Sequence, residues 1–163
     1  IDNGKKIWWD VRTHYMYDTV EIRICDMPTN LDHTVALVQA LMAKLYLMYR
    51  RNTGWRKYSR ALIEENKWRA LRYGSDAQLI DFGMQMERPF PELMKEMVEL
   101  VTETTEIFGT AEYMKTVLKI ASEGTSAHRQ VEVYEKHGGE KNNQGALTAV
   151  VDHLIAETMR GIA

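Results

Sequence analysis

One cysteine, Cys25, stands among 163 residues, so the chain has no internal disulfide and no cysteine-based zinc cluster. A lone thiol fits a reducing, cytoplasmic setting. No sequence pattern near Cys25 supplies a histidine base, and it reads as a small semi-buried thiol rather than a nucleophile. Charge of one sign is also missing. The formal net charge is -2, and the basic runs at Arg50-Arg51 and Arg56-Lys57 are short. They read as solvated surface, and no nucleic-acid partner is expected. No apolar run is long enough for a membrane. The most apolar stretch, Thr34 to Tyr49, is broken by Gln39 and Lys44 and falls short of the roughly 20 residues a spanning helix needs. It reads as a core helix. The opening residues, Ile1 to Lys6, are polar, hold no signal-peptide core and lack an initiator methionine. The chain is therefore expected to begin inside a longer protein. Repeats and low-complexity tracts are absent too. His14, His33, His128, His137 and His153 show neither H-x-x-x-H nor H-E-x-x-H spacing, so each reads as a surface or capping histidine.

What is present suits one globular domain: 45% apolar and 27% charged residues over a single-domain length. Ile7 to Arg12 and Thr19 to Ile24 alternate β-branched or aromatic with charged residues, which predicts two strands of a hairpin. Alternation puts Trp8, Asp10 and Arg12 on one side, and Glu21, Arg23 and Cys25 on one side of the next strand. If those sides coincide, the hairpin has an apolar back and a charged front bearing Asp10, Arg12, Glu21 and Arg23. Trp8 and Trp9 point oppositely, so at least one should be buried against another layer. Helices are predicted over 31–50, capped by Asn30 or Asp32, over 59–73 before Gly74, and over 91–108 before Gly109. Three more follow at 111–122, 126–137 and 144–160, with a small second hairpin around Gly83.

The result is an α+β pattern of two hairpins and about six helices. An isolated two-stranded hairpin is marginal in water. The first hairpin is therefore expected to belong to a larger sheet whose other strands come from elsewhere. Exposed strand edges also favour a homo-oligomer.

The sharpest chemical signal is Glu21-Ile22-Arg23. A carboxylate and a guanidinium two apart on one strand face can hold a magnesium ion and a phosphate side by side. Arg12 on the neighbouring strand would add a second positive clamp, the arrangement phosphoryl transfer needs. The plainer reading is a solvent-facing hairpin whose Glu and Arg form cross-strand ion pairs.

Glu21-Ile22-Arg23, followed by Asp26 and Asn30, resembles the E-x-R-x-x-D-x-x-x-N strand end of the glutamine synthetase superfamily. Trp9-Asp10-Val11-Arg12 and Thr19 to Pro28 are closer still to the carboxylate–amine ligases, or glutamate–cysteine ligase type 2 family, with their W-D-[IV]-R and T-[VI]-E-x-R-x-x-D-x-P. Asn66 to Gly74 is similar to that family's N-[RK]-[FW]-x-A-x-[RK]-x-G helix, and Gly124 to Gln130 to its G-x-G-A-x-R-Q segment. Four motifs keep their order from Trp9 to about the last helix. The loop from Thr13 to Asp18 departs from the family's Pro-Ser and Gly, and Ser126 stands where a second Gly is usual. The resemblance implies the C-terminal part of a single glutamine synthetase-like catalytic domain whose N-terminal half is absent. It implies an enzyme in which ATP phosphorylates a carboxylate, often the γ-carboxylate of glutamate, and an amine displaces phosphate to form an amide. ATP and Mg2+ would be the cofactors and amino acids the substrates. Glu21 would be a metal ligand, Arg23 and Arg12 would hold the transferred phosphoryl group, and Asn66, Arg72 and Arg129 would approach nucleotide or substrate. This fragment alone is expected to be inactive.

The alternative is a non-catalytic helical interaction domain, a remnant of that fold. An active ligase is expected to project Glu21 and Arg23, with Arg12, into a concave surface; a remnant has no need to.

Overall fold

The computed structural model describes residues 8–52 and 58–160. Strands β1 (Val11–Thr13) and β2 (Val20–Ile22) form the first hairpin, followed by helices α1 (Leu31–Arg50) and α2 (Arg60–Tyr73). A one-turn 3-10 helix leads to the second hairpin, β3 (Gln78–Asp81) and β4 (Met86–Pro89). Helices α3 (Phe90–Ile107), α4 (Tyr113–Glu123), α5 (Ser126–Lys136) and α6 (Gln144–Met159) complete the chain. The architecture is α+β, and among the described residues each sheet has only two strands.

Helix α1 starts where Asn30 accepts hydrogen bonds through Oδ1 from the backbone N–H groups of Asp32 (2.9 Å) and His33 (3.3 Å). That satisfies two of the donors every helix leaves unpaired at its start. Its buried stripe is Ala36, Ala40, Ala43 and Leu47, at helical spacing on one face. Three alanines in a row let α3 and α4 approach closely, and Val101, Met114 and Val117 fill the space against them. This three-helix centre is the core, with Met97, Val98 and Tyr113 at its margin. Helices α5 and α6 pack on each other as a second pair. On the other side of α1, Val38, Met42, Leu45 and Tyr49 form an exposed stripe.

The first hairpin is shorter than the alternation predicts. Pairing runs only from Val11 to Thr13 and Val20 to Ile22, extended by one backbone hydrogen bond at each end, from Arg23 N–H to the Asp10 carbonyl (2.7 Å) and from His14 N–H to the Thr19 carbonyl (2.9 Å); Ile7 lies outside the described residues. No third strand is paired to either edge among the described residues, which leaves the ends without partners to keep them extended. The same lack of cover explains two further departures. Trp8 and Trp9 are both exposed, at 81% and 65%, where one was expected to be buried. Cys25, expected half-buried, is exposed as well, because the chain leaves the sheet after Ile22 and the alternation of faces ends there.

In the second hairpin the turn around Gly83 takes in residues 82–85. Asp81 Oδ1 accepts from the N–H groups of Gly83 (2.9 Å) and Met84 (3.0 Å), and Gln85 takes a left-handed φ of 56°. The side chain of Asp81 thus starts the turn one residue earlier than the glycine suggests. This hairpin is fastened to α2 by Asn66, which donates through Nδ2 to the Ile80 carbonyl (2.9 Å) and accepts at Oδ1 from the Ile80 N–H (2.7 Å). Both ends of one side-chain amide are used on the backbone of one residue. Asn66→Ala should therefore cost about 1–3 kcal/mol of stability, because two half-buried backbone groups lose their partner. Hydrogen exchange at the Ile80 amide should accelerate in that variant, and unchanged protection would show that β3 is held by packing alone.

No helix among the described residues is long and apolar enough to cross a membrane.

Candidate functional site

Antiparallel pairing places Arg12 directly opposite Glu21. Their side chains share a face, and Arg12 Nε donates to Glu21 Oε2 at 2.6 Å. Arg23, just past the end of β2, brings Nη1 to 3.6 Å from the same oxygen. Its guanidinium also lies 5.3 Å from the centre of the Trp8 ring, within cation–π range. The two charged sides of the hairpin therefore coincide, a condition the alternation alone leaves open. The hydrogen bond from Arg12 holds the Glu21 carboxyl below the usual carboxylate range against partial burial, with the charges of Arg12, His14 and Arg23 adding to it. Glu21 is accordingly ionised at neutral pH, the state a metal ligand requires.

Asp10 completes the front. Its Oδ2 accepts from Lys67 Nζ at 2.6 Å, which ties the hairpin to the middle of α2. Neighbouring Asn66 turns the other way, to β3. Arg72, further along α2, is exposed with its guanidinium 5.8 Å from the Tyr73 ring. Arg129 belongs to a separate cluster. Its Nε donates to Glu157 Oε1 at 2.6 Å, and Nη2 approaches Oε2 at 3.3 Å. The structure thus gathers Arg12, Glu21 and Arg23, joins α2 to them through Lys67, and leaves Asn66, Arg72 and Arg129 facing other partners.

Two residues at the front escaped the motif reading. Lys67 adjoins Asn66 in the helix motif, and its charge was the available signal. His14 lies in the β1–β2 loop, 3.7 Å from Glu21 Oε1 through Nε2; nothing in its spacing marks it. His128, by contrast, is the capping histidine its type suggests, with Nδ1 accepting from the Thr125 N–H at 3.2 Å.

A groove of about 420 Å³ lies behind the hairpin rather than in front. It is lined by Val20, Ile22, Cys25 and Pro28 and, from α1, by residues including Val38 and Leu41. Glu21, Arg12 and Arg23 are not among its lining residues. Among the described residues no group of three His, Cys, Asp or Glu side chains could hold a metal ion. The donor set still fits a share in a magnesium site, since that ion takes one or two carboxylates and completes its shell with phosphates and water.

The family model described as glutamate-cysteine ligase family 2 (GCS2) matches residues 1–153. Curated relatives that carry the name "Putative glutamate--cysteine ligase 2" align with nearly the whole chain. The protein from Sorangium cellulosum is 55% identical over 99% of this chain and 42% of its own length. Those from Herpetosiphon aurantiacus and Chloroflexus aurantiacus are 46% and 47% identical over 99% of this chain and 41% and 40% of theirs. The chain spans about two fifths of the length of the curated relatives it matches.

Proposed function

This chain belongs to the glutamate–cysteine ligase family 2, and from that premise we propose that it is the C-terminal part of a cytoplasmic, ATP-dependent carboxylate–amine ligase of glutamine synthetase-like fold. The observation that carries the reading is the meeting of an ionised Glu21 with Arg12 and Arg23 on one face of a hairpin. Arg12 and Arg23 supply planar, permanently charged forks matched to phosphate oxygens. Glu21 gives one carboxylate toward a magnesium ion, and the remainder of the longer protein gives the others. Magnesium, when bound, neutralises charge on the nucleotide phosphates.

The reaction has two steps. A substrate carboxylate, the γ-carboxylate of glutamate on this reading, attacks the terminal phosphorus of ATP and releases ADP. An amine then attacks the acyl carbon, phosphate leaves, and an amide remains. Arg23 and Arg12 stabilise the charge that collects on the transferred phosphoryl group. Arg72, exposed on α2, is the residue of that helix open to nucleotide, while Asn66 and Arg129 serve by holding the frame. The apolar groove behind the hairpin is where the remainder of the protein packs and extends the sheet.

In the full-length protein, release of phosphate from ATP and Mg2+ should require an amino acid with a free side-chain carboxylate, glutamate first. This chain alone should release none. Phosphate release indifferent to the amino acid, or turnover by the 163 residues alone, would overturn the reading. A second reading, a helical interaction module without catalysis, is favoured by two facts: Glu21 Oε2 is already matched by Arg12 within the hairpin, and the groove beside the hairpin is not lined by Glu21, Arg12 or Arg23, where a ligase was expected to project them into a concave surface. The two part at Glu21→Gln, which only the ligase should feel in ATP turnover.

A further inference from the structure

Asp10 and Arg23 stand across from each other just past the ends of the first hairpin's strands, where Arg23 N–H donates to the Asp10 carbonyl (2.7 Å). Opposite charges so placed ordinarily pair. Here they do not. No ion pair joins these two side chains among the described residues, and Asp10 Oδ2 is taken instead by Lys67 Nζ of α2 at 2.6 Å. Nor does the Arg23 side chain make a hydrogen bond elsewhere among the described residues. Glu21 Oε2, at 3.6 Å, is too far for one and is already held by Arg12 Nε at 2.6 Å. What locates the guanidinium is the Trp8 ring, its centre 5.3 Å away. Arg23 therefore keeps its side-chain N–H donors uncommitted, half-exposed, with one face over an indole.

We infer that Lys67 is a positioning residue for Arg23: by holding Asp10, it keeps the cross-strand carboxylate off the guanidinium and leaves that fork open to an oxyanion. This rests on the assignment of Arg23 as a phosphate contact, and it gives Lys67 a part in binding ATP without touching it. Without a cation at Lys67, the opposed guanidinium of Arg23 is the partner that the register offers Asp10. An arginine clasped by an internal carboxylate must give up that contact before it meets a phosphate, and affinity falls by the strength of the pair. The hydrogen bond to Asp10 raises the Lys67 pKa above the ordinary lysine value, so the lysine stays charged throughout the neutral range.

The test is a mutant cycle in the full-length protein, read as the KM for ATP. Lys67→Met should raise that KM about two- to fivefold, the worth of one cross-strand ion pair. Adding Asp10→Asn to Lys67→Met should bring it back toward wild type, because an amide cannot hold the guanidinium by charge. The double variant lacks the link between the hairpin and α2 just as the single one does, so a merely structural role for Lys67 predicts no recovery. Loss that persists in the double variant therefore overturns the inference, as does an unchanged KM in Lys67→Met. With Arg23 already replaced by alanine, Lys67→Met should add nothing. A further increase there, which would set Lys67 against the nucleotide itself, also overturns it. Arg23→Ala separates the two levels: if it leaves the KM for ATP at the wild-type value, the assignment of Arg23 falls and this inference with it. If it raises the KM while Lys67→Met does not, only the role of Lys67 falls.

Discussion

Glu21→Gln should reduce ATP-dependent phosphate release by the full-length protein about a thousandfold. The substitution keeps the shape of the side chain and one oxygen that Arg12 Nε can still reach, so the hairpin should persist. What disappears is the negative charge. The guanidinium of Arg12 then lies against a neutral amide, and a magnesium ion loses a hard anionic ligand in exchange for a weak one. Arg23→Ala gives a useful contrast. It should raise the KM for ATP and lower kcat while leaving Mn2+ binding nearly intact, because the arginine meets phosphate rather than metal. Should Glu21→Gln turn over at the wild-type rate, with circular dichroism confirming its fold, the charged face of the hairpin is a structural ion pair and the interaction-module reading gains.

The second large effect is expected far from the hairpin front. Glu157 on α6 is only 5% exposed, yet it holds three elements together. Its Oε2 accepts from Thr29 Oγ1 at 2.5 Å and its Oε1 from Arg129 Nε at 2.6 Å. Thr29 in turn shares a hydrogen bond with Ser126 Oγ at 2.9 Å. The segment between β2 and α1 is thereby fastened to both α5 and α6. Glu157→Ala leaves Arg129 as a half-buried charge without its counter-ion, and should cost about 2–3 kcal/mol of stability. Replacing both partners by apolar residues, Glu157→Leu with Arg129→Met, should recover most of that loss. If the single variant unfolds at the same urea concentration as wild type, Arg129 has found another partner and the cluster is dispensable.

The same carboxylate sets a pH dependence. Burial pushes the Glu157 pKa up, but the hydrogen bonds from Arg129 and Thr29, with the charges of Arg129 and His153, outweigh it and hold it below the usual value. A group whose pKa is lower folded than unfolded contributes stability above the unfolded pKa. That contribution is lost as the pH falls through the folded one. Stability should therefore drop on acidification through the carboxylate range, and Glu157→Gln should flatten that limb.

Much of the fold is legible in residues that act locally. Asn30 starts α1 by capping it, and Gly74, Gly109 and Gly138 stand with left-handed φ just beyond α2, α3 and α5. The pairing of Arg12 with Glu21 also follows from local alternation, once the two strands are placed back to back. What stayed hidden depends on partners remote in sequence. Asn66 looks like a surface amide until Ile80 folds back on it, 14 residues later. Arg129 offers a free guanidinium in the motif, and only the packing of α5 on α6 reveals Glu157 against it. Thr29 and Glu157 are 128 residues apart, and no periodicity links them. The short extent of the first hairpin was hidden for another reason: its sequence is that of a longer strand, and among the described residues nothing pairs with its edges.

The alanine stripe of α1 has a practical consequence. With Ala36, Ala40 and Ala43 seated against α3 and α4, the helix cannot roll to bury its opposite side. Val38, Met42, Leu45 and Tyr49 stay wet however the chain relaxes. Material expressed from these residues alone should thus be sticky in solution, and polar substitutions at Met42 and Leu45 should improve its yield without loosening the bundle.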